Sequence, residues 1–490
     1  MEKKPNIILI TTDTQRCDTL KCMGNPHAIS PNLDKLAREG VLFTQAHTAS
    51  PVCMPARCSL LTGLHTPIHG CIENGIARRE DIPVFTDYLK EQGYVSIMVG
   101  KTHFGLIPDS FDIRYIIEGE KSACKDDCYS RHIKDHGYER ASSHPNPIPE
   151  ELFMDAFLVD TTIDEIKKIA HGDRPFFAFC SLLSPHSPVD PPGNWAGLYE
   201  AIPLPDINYA EGEIEEHPEQ LRMLVGTMNK QAGEALEEGS GKIFSRDDLA
   251  KINHLRQLYY GLASYCDAQI GRLIRYLDES GLRENTLVIF TSDHGQQYYD
   301  HGFNDKHNYY DSSWRVPLIM SMPGTLPSGE RRKFAVWNDI TTTILAAAGT
   351  YCSSMQGFDL FTPLKSGEDS PRKCAIGTLY KSAALATEKW KLEYYFETGK
   401  GRLFDRVNDP LEQKNIYDDP DFSKVAGELT QAILTWRSDI CDVNYLIKNT
   451  GGGGPVARRI APHTLAMKGI DSEERLNKAA ERVMLYEAGE

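Results

Sequence analysis

Short, unbroken apolar runs alternate with longer amphipathic stretches along most of this chain, and that alternation constrains its fold more than any other feature. Residues 6–12 form a β-branched run ending in polar side chains, and residues 31–40 carry apolar positions at helical spacing before a glycine stop. The same pairing recurs: helix 85–91 with strand 95–99, helix 153–169 with strand 176–183, and helix 255–277 with strand 287–291. Strands that are apolar throughout are buried on both faces, so the pattern predicts an α/β fold, a large mostly parallel sheet sandwiched by helices. Ligands in such sheets collect beyond the carboxyl ends of the strands. Asp13, the segment 100–105, the segment 184–188 and the segment 292–295 all follow apolar strands directly, so four polar clusters are expected to converge on one crevice.

The texture changes after residue 370. Short runs with aromatic alternation and Gly or Asp turns predict a smaller antiparallel sheet, and residues 422–437 a helix. The expected organisation is a catalytic domain over 1–370, a sheet-and-helix subdomain over 371–440 and a tail over 441–490. In the tail a four-glycine hinge at 451–454 precedes an amphipathic helix over 471–488. Leu476, Ala479, Val483 and Leu485 give that helix an apolar side. The reading is of an element outside the core that covers this side with a neighbouring subunit, as in a homo-oligomer.

With 490 residues, 41% hydrophobic and 25% charged, the chain is long and apolar enough for a large buried core, which excludes a disordered or fibrous protein. The 69 acidic against 53 basic residues give a net charge of −16, which repels nucleic acid and anionic membranes, so neither is expected as a partner and any anionic substrate needs a local cluster of cations. The apolar run at residues 7–10 is far shorter than a signal-peptide core or a membrane span, and twelve cysteines without a regular framework fit a reducing compartment, which together predict a cytoplasmic protein. Cys124 and Cys128 have half of a metal-knuckle spacing, but no second pair follows.

The sharpest local signal is Cys53-Met54-Pro55-Ala56-Arg57 followed by Ser59-Leu60-Leu61-Thr62-Gly63. A Cys, Pro and Arg at those offsets arise by chance about 0.03 times in a chain of this composition. The segment resembles the signature of the formylglycine-dependent sulfatases of the alkaline phosphatase superfamily. The resemblance extends in family order through residues 6–16, 30–34, 100–105, Pro185-His186-Ser187-Pro188, 291–295, Lys306 and Arg315-Val316-Pro317, to about residue 420.

The resemblance implies an alkaline phosphatase-like fold and a sulfatase in which Cys53 is oxidised to formylglycine by a formylglycine-generating or radical maturase. One hydroxyl of the aldehyde hydrate attacks sulfur; the other then expels sulfate and restores the aldehyde. It further implies that Arg57 steadies the diol oxygens and that Asp13, Asp293, His294 and the modified Cys53 hold a divalent metal. Many family members end the first strand with two Asp, whereas here Thr14 follows Asp13. With His294, the set looks like the branch of phosphonate monoester hydrolases and choline sulfatases. Hard oxygen donors favour calcium, and magnesium or manganese also suits the set. Lys101 and Lys306 are implied to grip the sulfate, His103 to take a proton from the diol, and His186 to protonate the leaving oxygen. Asn74 matches a polar position near the sulfate; His301, and less so His307, are candidates for substrate contact. A small sulfated substrate follows, such as a sulfated sugar. Phosphonate monoester or phosphodiester hydrolysis is the alternative reaction, and a non-catalytic sulfoglycan-binding protein the alternative class.

Overall fold

The computed structural model describes residues 4–117, 127–141, 146–219, 221–223, 246–368, 370–440 and 471–484. Eight strands form the large sheet: β1 (Asn6–Thr12), β2 (Val41–His47), β3 (Val95–Gly100), β4 (Ile113–Ile116), β5 (Phe176–Ser181), β6 (Thr286–Ser292), β7 (Leu318–Ser321) and β8 (Glu330–Val336). Their order is β4-β3-β5-β1-β6-β7-β2-β8, and β7 alone runs against its neighbours. The mostly parallel sheet expected from the apolar runs is present.

Alternation along β1 shows how the sheet is buried on both faces. Ile7 and Leu9 enter one core together with the helices Cys53–Thr62, Phe85–Glu91 and Trp337–Ala347. Ile8 and Ile10 enter the other, under the helices Pro31–Glu39, Met154–Ile169 and Arg246–Glu279. Burial of such side chains contributes roughly 1.5–3 kcal/mol each. This two-sided core fixes the strand ends from which the polar clusters emerge. Among the described residues, no helix is long and apolar enough to cross a membrane.

The smaller sheet is antiparallel and consecutive: β9 (Ala375–Leu379), β10 (Ser382–Ala386), β11 (Trp390–Tyr395) and β12 (Lys400–Asp405). The helix Ser423–Ile440 packs on it through Val425, Leu429, Ile433 and Trp436.

The tail corrects the sequence expectation. Its helix, Asp471–Val483, buries Leu476, Ala480 and Val483 in the same core as the small sheet, within its own chain. Glu473 goes further and is fully buried. Its carboxylate accepts from Arg372 Nη1 at 2.7 Å, His65 Nε2 at 3.0 Å and Trp436 Nε1 at 3.0 Å, and Arg372 also grips Asp339 through Nε at 2.6 Å and Nη2 at 2.6 Å. Binary pattern exposed the apolar stripe but not this charge, which converts an appendage into part of the core. The glycine hinge, Leu485 and Cys124 lie outside the described residues.

Candidate active site

The four polar clusters do converge. In the sheet register Thr12 of β1 pairs with Ser292 of β6, so Asp13 and Asp293 each stand one residue beyond neighbouring strand ends. Val52 is extended and the helix Cys53–Thr62 opens at Cys53 itself, two residues before Pro55, pointing the thiol at the two carboxylates. One ligand atom from each of Asp13, Cys53, Asp293 and His294 lies within 4.8 Å of all the others, and all four residues are buried. Cys53 Sγ is 3.1 Å from His294 Nε2 and 4.0 Å from Asp13 Oδ1.

The donors are oriented by their own hydrogen bonds. His294 Nδ1 lies 2.8 Å from the Gly295 carbonyl, which can only accept, so Nδ1 carries a hydrogen and Nε2 is the nitrogen turned to the cluster. Asp293 Oδ1 accepts from the Thr14 amide at 3.1 Å and the His294 amide at 2.9 Å, which leaves Oδ2 to Arg57 Nε at 2.8 Å. Thr14 therefore serves through its backbone, where a second carboxylate was absent. Two carboxylates, an imidazole and the oxygen or sulfur of the side chain at position 53, all buried, fit a divalent cation.

Arg57 is four residues beyond Cys53 and faces the same way, but its bonds run mostly to other groups. Nη1 donates to the Lys101 carbonyl at 3.1 Å and to Ser181 Oγ at 2.8 Å, and Nη2 is 3.7 Å from Asp13 Oδ2. Ser181 went unrecognised in the sequence; a lone hydroxyl closing the apolar run of β5 was its only signal. Lys101 Nζ touches Asp13 Oδ2. It reaches there because Gly100 ends β3 at φ +104, and a Cβ at that position would lie 1.9 Å from the Ser181 carbonyl oxygen.

Charge in the site is strongly coupled. Burial raises the Cys53 thiol, but Lys306, then Lys101 and His294, together with a hydrogen bond from His103, hold it well below the ordinary thiol range. Burial likewise raises Asp13, and Lys101 overrides it, holding the carboxyl below the ordinary range. His294 is pushed down by burial and pulled up further by Asp293 and Cys53.

His186 and Lys306 form the outer wall. Lys306 Nζ is 3.2 Å from His186 Nε2, and His186 Nδ1 is 2.8 Å from the Ser187 carbonyl, so Nδ1 carries a hydrogen and Nε2 faces Lys306. Asn74 Oδ1 accepts from the Met54 amide at 3.0 Å, beside Cys53. His307 pairs with Glu73 at 3.4 Å. His301 is placed elsewhere: it is 2% exposed, touches Glu213, accepts Asn208 Nδ2 at 3.0 Å and stacks on Tyr310. Strain gathers at this end of the sheet. Of seven non-glycine residues with positive φ among the described residues, six are Thr14, His103, Tyr298, Tyr299, His301 and His307, all in the site or the loop leading to Lys306.

The sulfatase family matches residues 5–350, and the family described as N-sulphoglucosamine sulphohydrolase, C-terminal, matches residues 299–439. Over 472 residues the chain is 28% identical to an arylsulfatase of Clostridium perfringens, an alignment covering 88% of this chain and 94% of that one. It is 27% identical over 465 residues to the uncharacterized sulfatase YidJ of Escherichia coli, covering 90% and 88%. Among solved structures it superposes on the phosphonate monoester hydrolase of Agrobacterium radiobacter with a TM-score of 0.75 at 23% identity, covering 90% and 96%, which is a likeness of fold.

Proposed function

The chain belongs to the sulfatase family and is a sulfuric ester hydrolase, and from that premise we propose that it cleaves a small organic sulfate with Cys53, matured to formylglycine, as nucleophile. One observation carries the reading: ligand atoms of Cys53, Asp13, Asp293 and His294 all lie within 4.8 Å of one another. A divalent metal held there, calcium by preference or manganese or magnesium, would lower the pKa of the hydrated aldehyde and polarise the sulfate.

The chain's own groups supply the rest. Lys101 and Lys306 bring positive charge to a sulfate whose charge shifts toward the leaving oxygen in the transition state. Lys306 Nζ lies 3.2 Å from His186 Nε2 at the outer side of the site; the Lys306 ammonium passes a proton to Nε2, the ring hands it to the departing alcohol, and the lysine regains it from solvent. His103, hydrogen-bonded to Cys53, is placed to take a proton from the second hydroxyl of the hydrate. Arg57 holds Asp293 and, through Ser181, ties the nucleophile's helix to β5. A maturase partner, a cytoplasmic location and a homo-oligomeric state belong to the same proposal.

The donor set with His294 also suits a phosphonate monoester, so the test must separate the two anions. Protein co-produced with a maturase should lose about 18 Da at Cys53 and release sulfate from nitrophenyl sulfate faster than phosphonate from its phenyl ester. Converted protein, metal-loaded, that releases no sulfate from any sulfate ester overturns the reading.

A further inference from the structure

His186 has two sides. One faces Lys306 and the catalytic cluster. The other forms part of the wall of a pocket of about 630 Å³ that the sulfate-handling groups do not use. Ile148, Phe153, Met154 and Leu183 make much of that wall apolar, and Tyr129 adds an aromatic ring. The volume is large enough for a bicyclic or disaccharide-sized group.

Among the described residues, the charge around the pocket is unfavourable to anions. Its cation, Arg140, lies over the Tyr129 ring at 5.2 Å, contacts Asp127 and donates to Ser130 Oγ at 2.8 Å. Asp190, also in the wall, accepts from Asn146 Nδ2 at 2.7 Å, and the buried Asp155, next to Met154 in sequence, accepts from the backbone N–H of Ser184 at 3.4 Å through Oδ1 and leaves Oδ2 unpartnered. The Tyr129 phenol accordingly feels three carboxylates, Asp155, Asp190 and Asp127, against the one guanidinium. A sulfate or carboxylate on the departing group would enter this surround with Arg140 already bonded to Asp127.

Resting on the sulfatase reading, we infer that this pocket receives the leaving group and selects the monosulfate of an aromatic or otherwise uncharged alcohol over a sugar bearing further sulfates. The apolar wall gains from burial of a ring, and Asp190 with Asp155 rejects a second anion. His186 lies between sulfate and pocket, where the scissile oxygen must sit.

The test uses the matured, metal-loaded enzyme with naphthyl sulfate and glucosamine disulfate, and naphthol and inorganic sulfate as product inhibitors. Naphthyl sulfate should have a kcat/KM roughly tenfold or more above that of the disulfated sugar. In Asp190→Asn that ratio should fall several-fold, because the disulfated sugar gains more from losing the carboxylate than naphthyl sulfate does. In Met154→Trp, which fills the pocket, naphthol inhibition should weaken roughly tenfold and inhibition by inorganic sulfate should not change. Equal or better use of the disulfated sugar by the wild type, or naphthol inhibition unaltered in a folded Met154→Trp, overturns the inference and leaves the sulfatase reading standing. Absence of sulfate release from every ester overturns both.

Discussion

Replacing Glu473 by glutamine should destabilise the whole chain although the residue lies far along the sequence from the catalytic signature. Its carboxylate is fully buried and bonded by Arg372, His65 and Trp436. Burial pushes its pKa up, but Arg372 and then His65 bring it down from 4.5 to about 2. Each unit is worth 1.36 kcal/mol, so the ionised carboxylate contributes on the order of 3 kcal/mol. Breaking a buried pair by removing one partner independently gives about 3–5 kcal/mol. Because the folded value is depressed, the contribution is complete above about pH 4.5 and is lost as pH falls toward 2. Urea melts followed by tryptophan fluorescence should therefore show Glu473→Gln less stable by about 3 kcal/mol at neutral pH and by roughly half that at about pH 3. Removal of the chain from Asp471 onward should cost more than this at neutral pH, because the burial of Leu476, Ala480 and Val483 is lost as well, and leave the subunit count unchanged. A deficit below about 0.5 kcal/mol, or one that does not shrink in acid, would refute the account of the buried network.

Other expectations concern the site and its supports. Cys53→Ala should abolish turnover while melting temperature stays within a few degrees, read by calorimetry beside the activity assay. Asp293→Asn should lower kcat roughly a hundredfold and loosen metal binding, measured by titration of the apoprotein, because it weakens a ligand that Arg57 also needs. Burial raises the Asp155 carboxyl to about 6, so its destabilising effect grows as pH rises from about 4 to 6. Asp155→Asn should thus raise stability at pH 7 by up to about 3 kcal/mol and have no effect below about pH 4, seen in pH-dependent melts. Gly100→Ala should cut activity and stability together, since the added methyl meets the Ser181 carbonyl 1.9 Å away and displaces Lys101.

Local pattern was informative wherever one period dominated. The strand over residues 6–12 and the helix opening at Pro31 are where their spacing placed them, and the strand-end rule brought Asp13, Lys101, His186 and Asp293 to one face. Contacts between segments remote in sequence were beyond it. Arg57 was legible as a neighbour of Cys53 on one helix, yet its bond to Ser181 depends on how β5 sits beside β1 and β3. His301 looked like its loop neighbours and proved to be sealed against Tyr310 and Glu213. Glu473 occupies a helical position whose charge suggests solvent, and only the fold reveals Arg372 beneath it.

Asp13 and Asp293 extend from adjacent strands whose last residues, Thr12 and Ser292, are in register. The gap between the two ligands is therefore measured by the sheet itself, at the spacing of about 4.8 Å between neighbouring strands. A one-residue deletion inside either strand would turn its terminal carboxylate to the opposite face, since side-chain direction alternates at every step. The outer walls of the pocket beside His186, proposed to take the leaving group, hang instead from turns and helix ends, at Tyr129, Ile148 and Met154. Reaction and the proposed selectivity thus meet at His186 and are otherwise carried by different elements. An engineer can redraw what the enzyme accepts by exchanging those walls, while the ruler that spaces the metal ligands stays untouched.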